Sequence, residues 1–312
     1  MKKIVFFGSP PSALPSLKKI LEAGHTIELV ITQPDKPSGR GKKLTPSAVK
    51  RFANALNIPY YQPLRIRKDL KTLEKIKKVY PDLNVVVAYG QIIPSSIIYF
   101  PKYNSLNLHF SLLPKYRGAA PVQWALLRGE TKTGVTIFEL NEKMDEGDIL
   151  SQEEFEILPG ERTDELEARL AQKGAELLLD TIAKIDKIKH LHQDHSQATY
   201  APRLRKEDGK IRWEKDAFSI ERQVRAFYPW PSAFAFFGEK RIKILKGRNI
   251  TLSAETCSSP GEIFGIKKEG IEVCCAGRSA FLIEELQPEN RNLMNAYAFS
   301  LGASIKPGNL FT

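Results

Sequence analysis

The first two thirds of the chain alternate short apolar runs, rich in β-branched residues, with longer runs whose apolar positions recur every three or four residues. Ile4 to Phe7, Ile27 to Thr32 and Val85 to Tyr89 read as buried strands, and Ser105 to Phe110 and Gly134 to Leu140 as further strands. Between and after them, Leu14 to Ala23, Pro46 to Asn57, Asp69 to Val79, Val122 to Leu127 and Thr163 to Ile185 carry helical periodicity. Thr163, Asp164 and Glu165 give the last of these a cap and an acidic first turn. Strands alternating with helices call for a parallel sheet covered on both faces, a Rossmann-like α/β domain.

Beyond about residue 204 the pattern changes to closely spaced β-rich runs separated by Gly, Pro or Ser. Ile242 to Leu245, Ile250 to Ser253, Gly261 to Ile266, Gly270 to Cys275 and Ala280 to Leu286 read as a small antiparallel barrel. The expected organisation is therefore a catalytic domain over residues 1–203 and a small OB-like β-barrel domain over 204–312, joined through TYAPRLRKEDG at 199–209.

The turn after the first strand, G-S-P-P-S-A-L-P-S-L, lacks the G-x-G-x-x-G that brings backbone amides against a pyrophosphate. Prolines at 10, 11 and 15 also remove donors from it, so NAD is not expected. No G-x-x-x-x-G-K-[ST] loop occurs either. Three cysteines, at 257, 274 and 275, form no C-x-x-C and indicate neither a disulfide framework nor a thiolate zinc site. His190, His192 and His195 with Asp194 lie outside the motif blocks in a lysine-rich stretch and read as a surface turn, so no metal is expected. The apolar run at the N-terminus ends at Gly8, too short for a signal peptide, and no window is long enough to span a membrane. A cytoplasmic protein is expected. Trp124, Trp230 and Phe227 read as core.

The chain of 312 residues carries 47 Lys+Arg against 36 Asp+Glu, a formal net charge of +11. That excess is local. Residues 36–78 hold 13 of the basic residues and only Asp69 and Glu74, so they account for the whole excess and the rest of the chain balances. Within them, K-P-S-G-R-G-K-K at 36–43 joins glycine flexibility to four cations, suited to closing on phosphates. Arg40 is the candidate for a base-edge contact, because only a guanidinium offers a planar fork. The helical lysines at 71, 75, 77 and 78 read as a solvated face.

The richest chemistry lies between residues 105 and 148. On a strand, Asn107 and His109 point to one face and Leu106, Leu108 and Phe110 to the other. An amide and an imidazole at the C-terminal end of such a strand can donate to a developing oxyanion, and the imidazole can move a proton. Asp145, in M-D-E-G-D, can orient and charge-stabilise that imidazole. By spacing alone, a hydrogen-bonded structural pair and an ordinary turn account for the same residues. No nucleophile elbow or nearby cysteine supports covalent catalysis.

The sequence N-L-H-F-S-L-L-P-K-Y-R-G-A-A-P at 107–121, with T-G-V-T at 133–136 and M-D-E-G-D at 144–148, resembles the signature of folate-dependent formyltransferases. T-Q-P-D-K-P-S-G-R-G-K-K-L at 32–44, V-V-V-A-Y-G at 85–90, A-T-Y-A-P-R-L at 198–204 and R-A-F-Y-P-W-P at 225–231 extend the resemblance over nearly the whole chain and narrow it to the branch acting on aminoacyl-tRNA. What it implies is transfer of a formyl group from 10-formyltetrahydrofolate to the α-amino group of methionine on initiator tRNA; a monomer is expected. It further implies catalytic roles for Asn107, His109 and Asp145 and folate contacts from Ser111, Leu112, Leu113 and Pro114. Lys36, Arg40, Lys42 and Lys43 of the basic loop, with Arg205 and Lys206 of the connector, would touch tRNA. A small-amine formyltransferase, a formyl-folate hydrolase and a non-catalytic tRNA-binding module are the competing readings.

Overall fold

The apolar run KIVFFG forms β1 (Lys3–Gly8), buried at every position after the first, as a strand covered on both faces must be. With it come β2 (Thr26–Ile31), β3 (Tyr60–Tyr61), β4 (Leu83–Val87), β5 (Ser105–His109), β6 (Lys132–Glu139) and β7 (Ile149–Glu156). This computed structural model describes residues 1–38, 43–251 and 259–312. The chain divides into two units, the first made of Met1–Pro121, Lys132–Glu156 and Glu167–Pro202, the second of Val122–Thr131, Ile157–Leu166 and Arg203–Thr312.

The seven strands form one sheet of order β7-β6-β5-β4-β1-β2-β3. From β5 to β3 every pairing is parallel. β6 runs antiparallel to β5, and β7 antiparallel to β6. The expected parallel sheet is thus mixed, carrying two antiparallel strands at one edge, and the short segment 140–148 between β6 and β7 leaves no room for a parallel crossover. The order reverses direction between β1 and β4, the place where open α/β sheets leave a crevice beyond their carboxyl ends. Helices Leu14–Glu22, Ala48–Ala55, Leu70–Val79 and Thr163–Lys184 match the expected runs within a few residues. The second begins after Ser47, whose hydroxyl accepts from Lys50 N at 3.0 Å, so the serine rather than Pro46 sets its start. Val5, Phe7, Leu29, Ile31, Ile76 and Val86 share one core cluster. In the long helix Gly174 admits Leu108 of β5, since a Cβ there would lie 2.6 Å from the leucine's Cδ1.

The second unit is built on an antiparallel sheet whose order is Ala233–Phe237, Lys240–Ile250, Ser279–Pro288, Gly270–Cys275, Ile263–Lys267. Where two strands were expected, at 242–245 and from 250, one eleven-residue strand runs to Ile250, kept in register by irregularities around Lys246. The last residues of the chain bridge both edges of this sheet, Phe311 to Phe237 and Leu310 to Glu262. Helices Ala217–Ala226 and Ala296–Gly302, not foreseen from the sequence, help close its core around Trp213, Ile220, Phe281 and Phe299. Cys274 is disulfide-bonded, against the expectation of no disulfide. Cys275 is a free buried thiol, pushed up to about 12 by burial. Trp230 is 54% exposed, a correction to its reading as core, whereas Phe227 is buried. No helix among the described residues is long and apolar enough to cross a membrane.

Candidate active site

β5 carries its alternation as expected: Leu106 and Leu108 are buried, and Asn107 and His109 share the opposite face. Asn107 sits in register with Val86 on β4 and Phe138 on β6. Its carboxamide makes no hydrogen bond among the described residues, which leaves two donors for a ligand. His109, at the strand's C-terminal end, is 6% exposed and meets Phe138 edge-on at 6.4 Å between ring centres. Its Nε2 lies 2.9 Å from the Tyr116 carbonyl oxygen. A carbonyl only accepts, so Nε2 carries the proton and Nδ1 faces the carboxylate of Asp145, whose Oδ2 is 3.8 Å away. That separation exceeds a hydrogen bond. The ring is therefore oriented by the Tyr116 carbonyl, and Asp145 opposes it as a charge.

Asp145 occupies left-handed backbone, φ 55°, a conformation that costs an L-residue energy and persists where its surroundings fix it. Several contacts do so. Its Oδ2 accepts from Gly118 N at 2.7 Å, and its carbonyl accepts from Gln193 Nε2 at 2.9 Å. Gly147, two residues on, approaches β6 so closely that a Cβ would lie 1.7 Å from the Glu139 carbonyl oxygen. Gly118 belongs to the two-residue strand Arg117–Gly118, which pairs in parallel with Tyr200–Ala201.

The segment 111–114 is held mainly by the protein itself. Ser111 Oγ donates to the Lys115 carbonyl at 2.7 Å, and Thr136 Oγ1 donates to the Ser111 carbonyl at 2.6 Å. Thr136 also accepts from Leu113 N, while Gln152 Nε2 donates to the Leu113 carbonyl at 2.9 Å. Leu113 is buried with Phe138 and Ile149, and Leu112 and Pro114 are half-buried.

Lys36 and Lys43 stand exposed on the ribbon formed by Lys36–Ser38 and Lys43–Thr45, with Lys36 opposite Thr45. Arg40 and Lys42 lie outside the described residues. Arg205 and Lys206 are exposed, and Arg205 N donates to Asp208 Oδ2 at 2.6 Å. The histidines read as a surface turn each meet a carboxylate of the 139–148 region: His190 with Glu139 at 3.5 Å, His192 with Asp148 at 2.6 Å and His195 with Glu146 at 4.0 Å. No metal-holding group of three or more His, Cys, Asp or Glu occurs among the described residues. Sequence reasoning assigned no role to Tyr116, Arg117, Gly118, Thr136 or Gln193. The first three lie inside the motif K-Y-R-G and were open to notice. Gln193 had no signal beyond its neighbours' histidines.

The formyl transferase family matches residues 1–182, and the family of formyl transferase C-terminal domains matches residues 203–304. A methionyl-tRNA formyltransferase of Geobacter sulfurreducens is 42% identical over 308 residues, covering 98% of this chain and 95% of its relative. Another, from Sulfurihydrogenibium sp., is 42% identical over 312 residues and 99% of each chain. Among solved structures, the N-formyltransferase from Helicobacter canadensis, in complex with folinic acid and dTDP-3-aminofucose, has a similar fold, with TM-score 0.66 and 20% identity over 91% of this chain and 99% of that one.

Proposed function

The chain belongs to the formyl transferase family, and from that premise we propose that it transfers the formyl group of 10-formyltetrahydrofolate to the α-amino group of methionine on initiator tRNA. The whole-length identity to methionyl-tRNA formyltransferases carries the choice of acceptor. Asn107, His109 and Asp145 carry the chemistry. The observation that supports their roles most directly is the unpartnered Asn107 carboxamide beside a His109 ring whose Nδ1 is left open toward a carboxylate.

The folate supplies an activated formyl group on nitrogen, and the donor set fits such a group: two amide N–H donors for a carbonyl oxygen, and one imidazole nitrogen for a proton. The amine nitrogen forms a bond to the formyl carbon, and Asn107 donates to the oxygen that gains charge. His109 Nδ1 takes the proton shed by the amine, with the Asp145 carboxylate offsetting the ring's charge. That proton returns to the folate nitrogen as its bond to the formyl carbon breaks. No covalent enzyme intermediate forms, and the steps call for hydrogen bonds and proton transfer rather than for a metal.

Ser111, Leu112, Leu113 and Pro114 line the folate side in this reading. The basic loop (Lys36, Arg40, Lys42, Lys43), with Arg205 and Lys206, holds the tRNA. The catalytic domain spans 1–203 and an OB-like tRNA-binding domain 204–312, supported by the two family matches and by the antiparallel sheet bridged at its edges. A monomer acting in the cytoplasm, where translation starts, completes the proposal. Asn107→Ala, His109→Ala and Asp145→Ala are each expected to cut turnover by about 10²–10⁴-fold in labelled formyl transfer to methionyl-tRNA, with folate affinity little changed. Near-normal turnover in His109→Ala, or transfer to a free small amine as fast as to tRNA, would sink the reading.

A further inference from the structure

Beside the proposed catalytic residues lies a polar network that the chemistry above does not use. Arg117 is 1% exposed, and Gln193 is 6% exposed. The arginine's Nε and Nη2 both donate to Gln193 Oε1, at 3.1 and 2.7 Å. With the amide oxygen taken by a guanidinium, the side chain can turn only one way, and its Nε2 donates to two carbonyls of the site loop: Asp145 O at 2.9 Å and Gly147 O at 2.7 Å. Arg117 is fixed in turn. Its Nη2 donates to His195 Nδ1 at 2.9 Å, and its Nη1 is 3.5 Å from Glu146 Oε1. Its backbone neighbours are the two groups that contact the catalytic residues directly, the Tyr116 carbonyl on His109 and the Gly118 N–H on Asp145.

We propose that the buried Arg117–Gln193 pair is a positioning device for Asp145, holding that residue's left-handed backbone so that its carboxylate stands opposite His109 Nδ1. Neither residue touches the reacting atoms. A buried guanidinium is expensive unless its donors are satisfied, and here two of them, from Nε and Nη2, meet one amide oxygen whose own amide hydrogens both reach the catalytic loop. The carbonyl of a strained residue is thereby tied, through Gln193, to Arg117, the neighbour of the Tyr116 carbonyl that orients the imidazole. A small displacement of a catalytic group costs turnover without much change in ground-state binding. The pair therefore acts on kcat.

The inference rests on the catalytic reading of Asp145, and the test separates the two. Gln193→Glu keeps an acceptor for Arg117 but sets a carboxylate against the carbonyls of Asp145 and Gly147. It is expected to lower kcat about 10–100-fold, with KM for formyl donor and for tRNA within about threefold. In the Asp145→Asn background the same substitution should cost less than about threefold, since the group it positions is already disabled. Equal losses in both backgrounds, or unchanged turnover in Gln193→Glu, would overturn the proposal. If Gln193→Glu does not fold, as judged by circular dichroism, Arg117→Lys takes its place in the same cycle, because an ammonium cannot satisfy the amide oxygen with a two-pronged fork. Wild-type turnover in Asp145→Asn would instead refute the catalytic role of Asp145 itself.

Discussion

Asp35 stands at the entrance to the basic loop, one residue before the ribbon strand Lys36–Ser38. Its carboxylate accepts from Lys50 Nζ at 2.7 and 2.9 Å and from Gln62 Nε2 at 2.8 Å. The hydrogen bond from Lys50, followed by that from Gln62, holds the group below the ordinary carboxylate value. For a group depressed in the fold, the stabilisation is present above its unfolded value and lost as pH falls through the folded one. The tie between loop and helix Ala48–Ala55 therefore persists at neutral pH and releases only in acid. Lys50→Met should move the titration of Asp35 upward toward the ordinary value near 3.9, read from its side-chain carboxyl shift by NMR. An unmoved midpoint would mean that the lysine is not what depresses it. The site loop is a second case in which one residue's geometry is settled by partners far along the chain: Asp145 depends on Gly118 and Gln193, 27 and 48 residues away.

The strand Arg117–Gly118 is only two residues long, yet it reaches both residues: its neighbour Tyr116 meets His109 through its carbonyl, and Gly118 donates its N–H to Asp145. Gly118 has φ 126°, and a Cβ there would lie 2.6 Å from the Ala201 carbonyl oxygen, backbone that has little room to move. Gly118→Ala should therefore destabilise by about 1–3 kcal/mol and lower turnover together with stability. Unchanged thermal midpoint and unchanged rate would show that the strand tolerates a side chain. At this scale the limits of sequence reading become physical. The alternation in Ser105–His109 was legible because one face is apolar and buried and the other polar, so the pairing of Asn107 with His109 could be read directly. Ile149–Glu156 was not, because this edge strand leaves Gln152, Glu153 and Glu154 exposed and lacks a continuous apolar signal. Arg117 and Gln193 escaped for another reason. A charged or polar residue reads as surface, and only a partner 76 residues distant explains why both are buried.

On the scale of the molecule, the net charge of +11 resides wholly in residues 36–78. A basic segment can attract tRNA in two ways, by a diffuse field or by defined phosphate contacts, and the two respond differently to where charge is removed. Lys36, Arg40, Lys42 and Lys43 fall in the glycine-containing segment 36–43 of the sequence, whereas Lys71, Lys75, Lys77 and Lys78 lie on the helix Leu70–Val79. Replacing either set by alanine removes four positive charges and leaves the same net charge. If the field were what matters, both variants would bind methionyl-tRNA equally less well. Defined contacts by the loop give a different result. The loop variant should raise KM for tRNA by at least about tenfold and flatten the dependence of log KM on log salt by roughly 0.7–0.9 for each phosphate no longer neutralised. The helix variant should stay within about threefold of wild type, with its salt slope nearly intact. If, as proposed, the segment only positions the acceptor while the imidazole moves the proton, turnover at saturating tRNA should fall far less in the loop variant than in His109→Ala. Equal KM values in the two variants would assign tRNA binding to the field and remove the loop from the proposed interface.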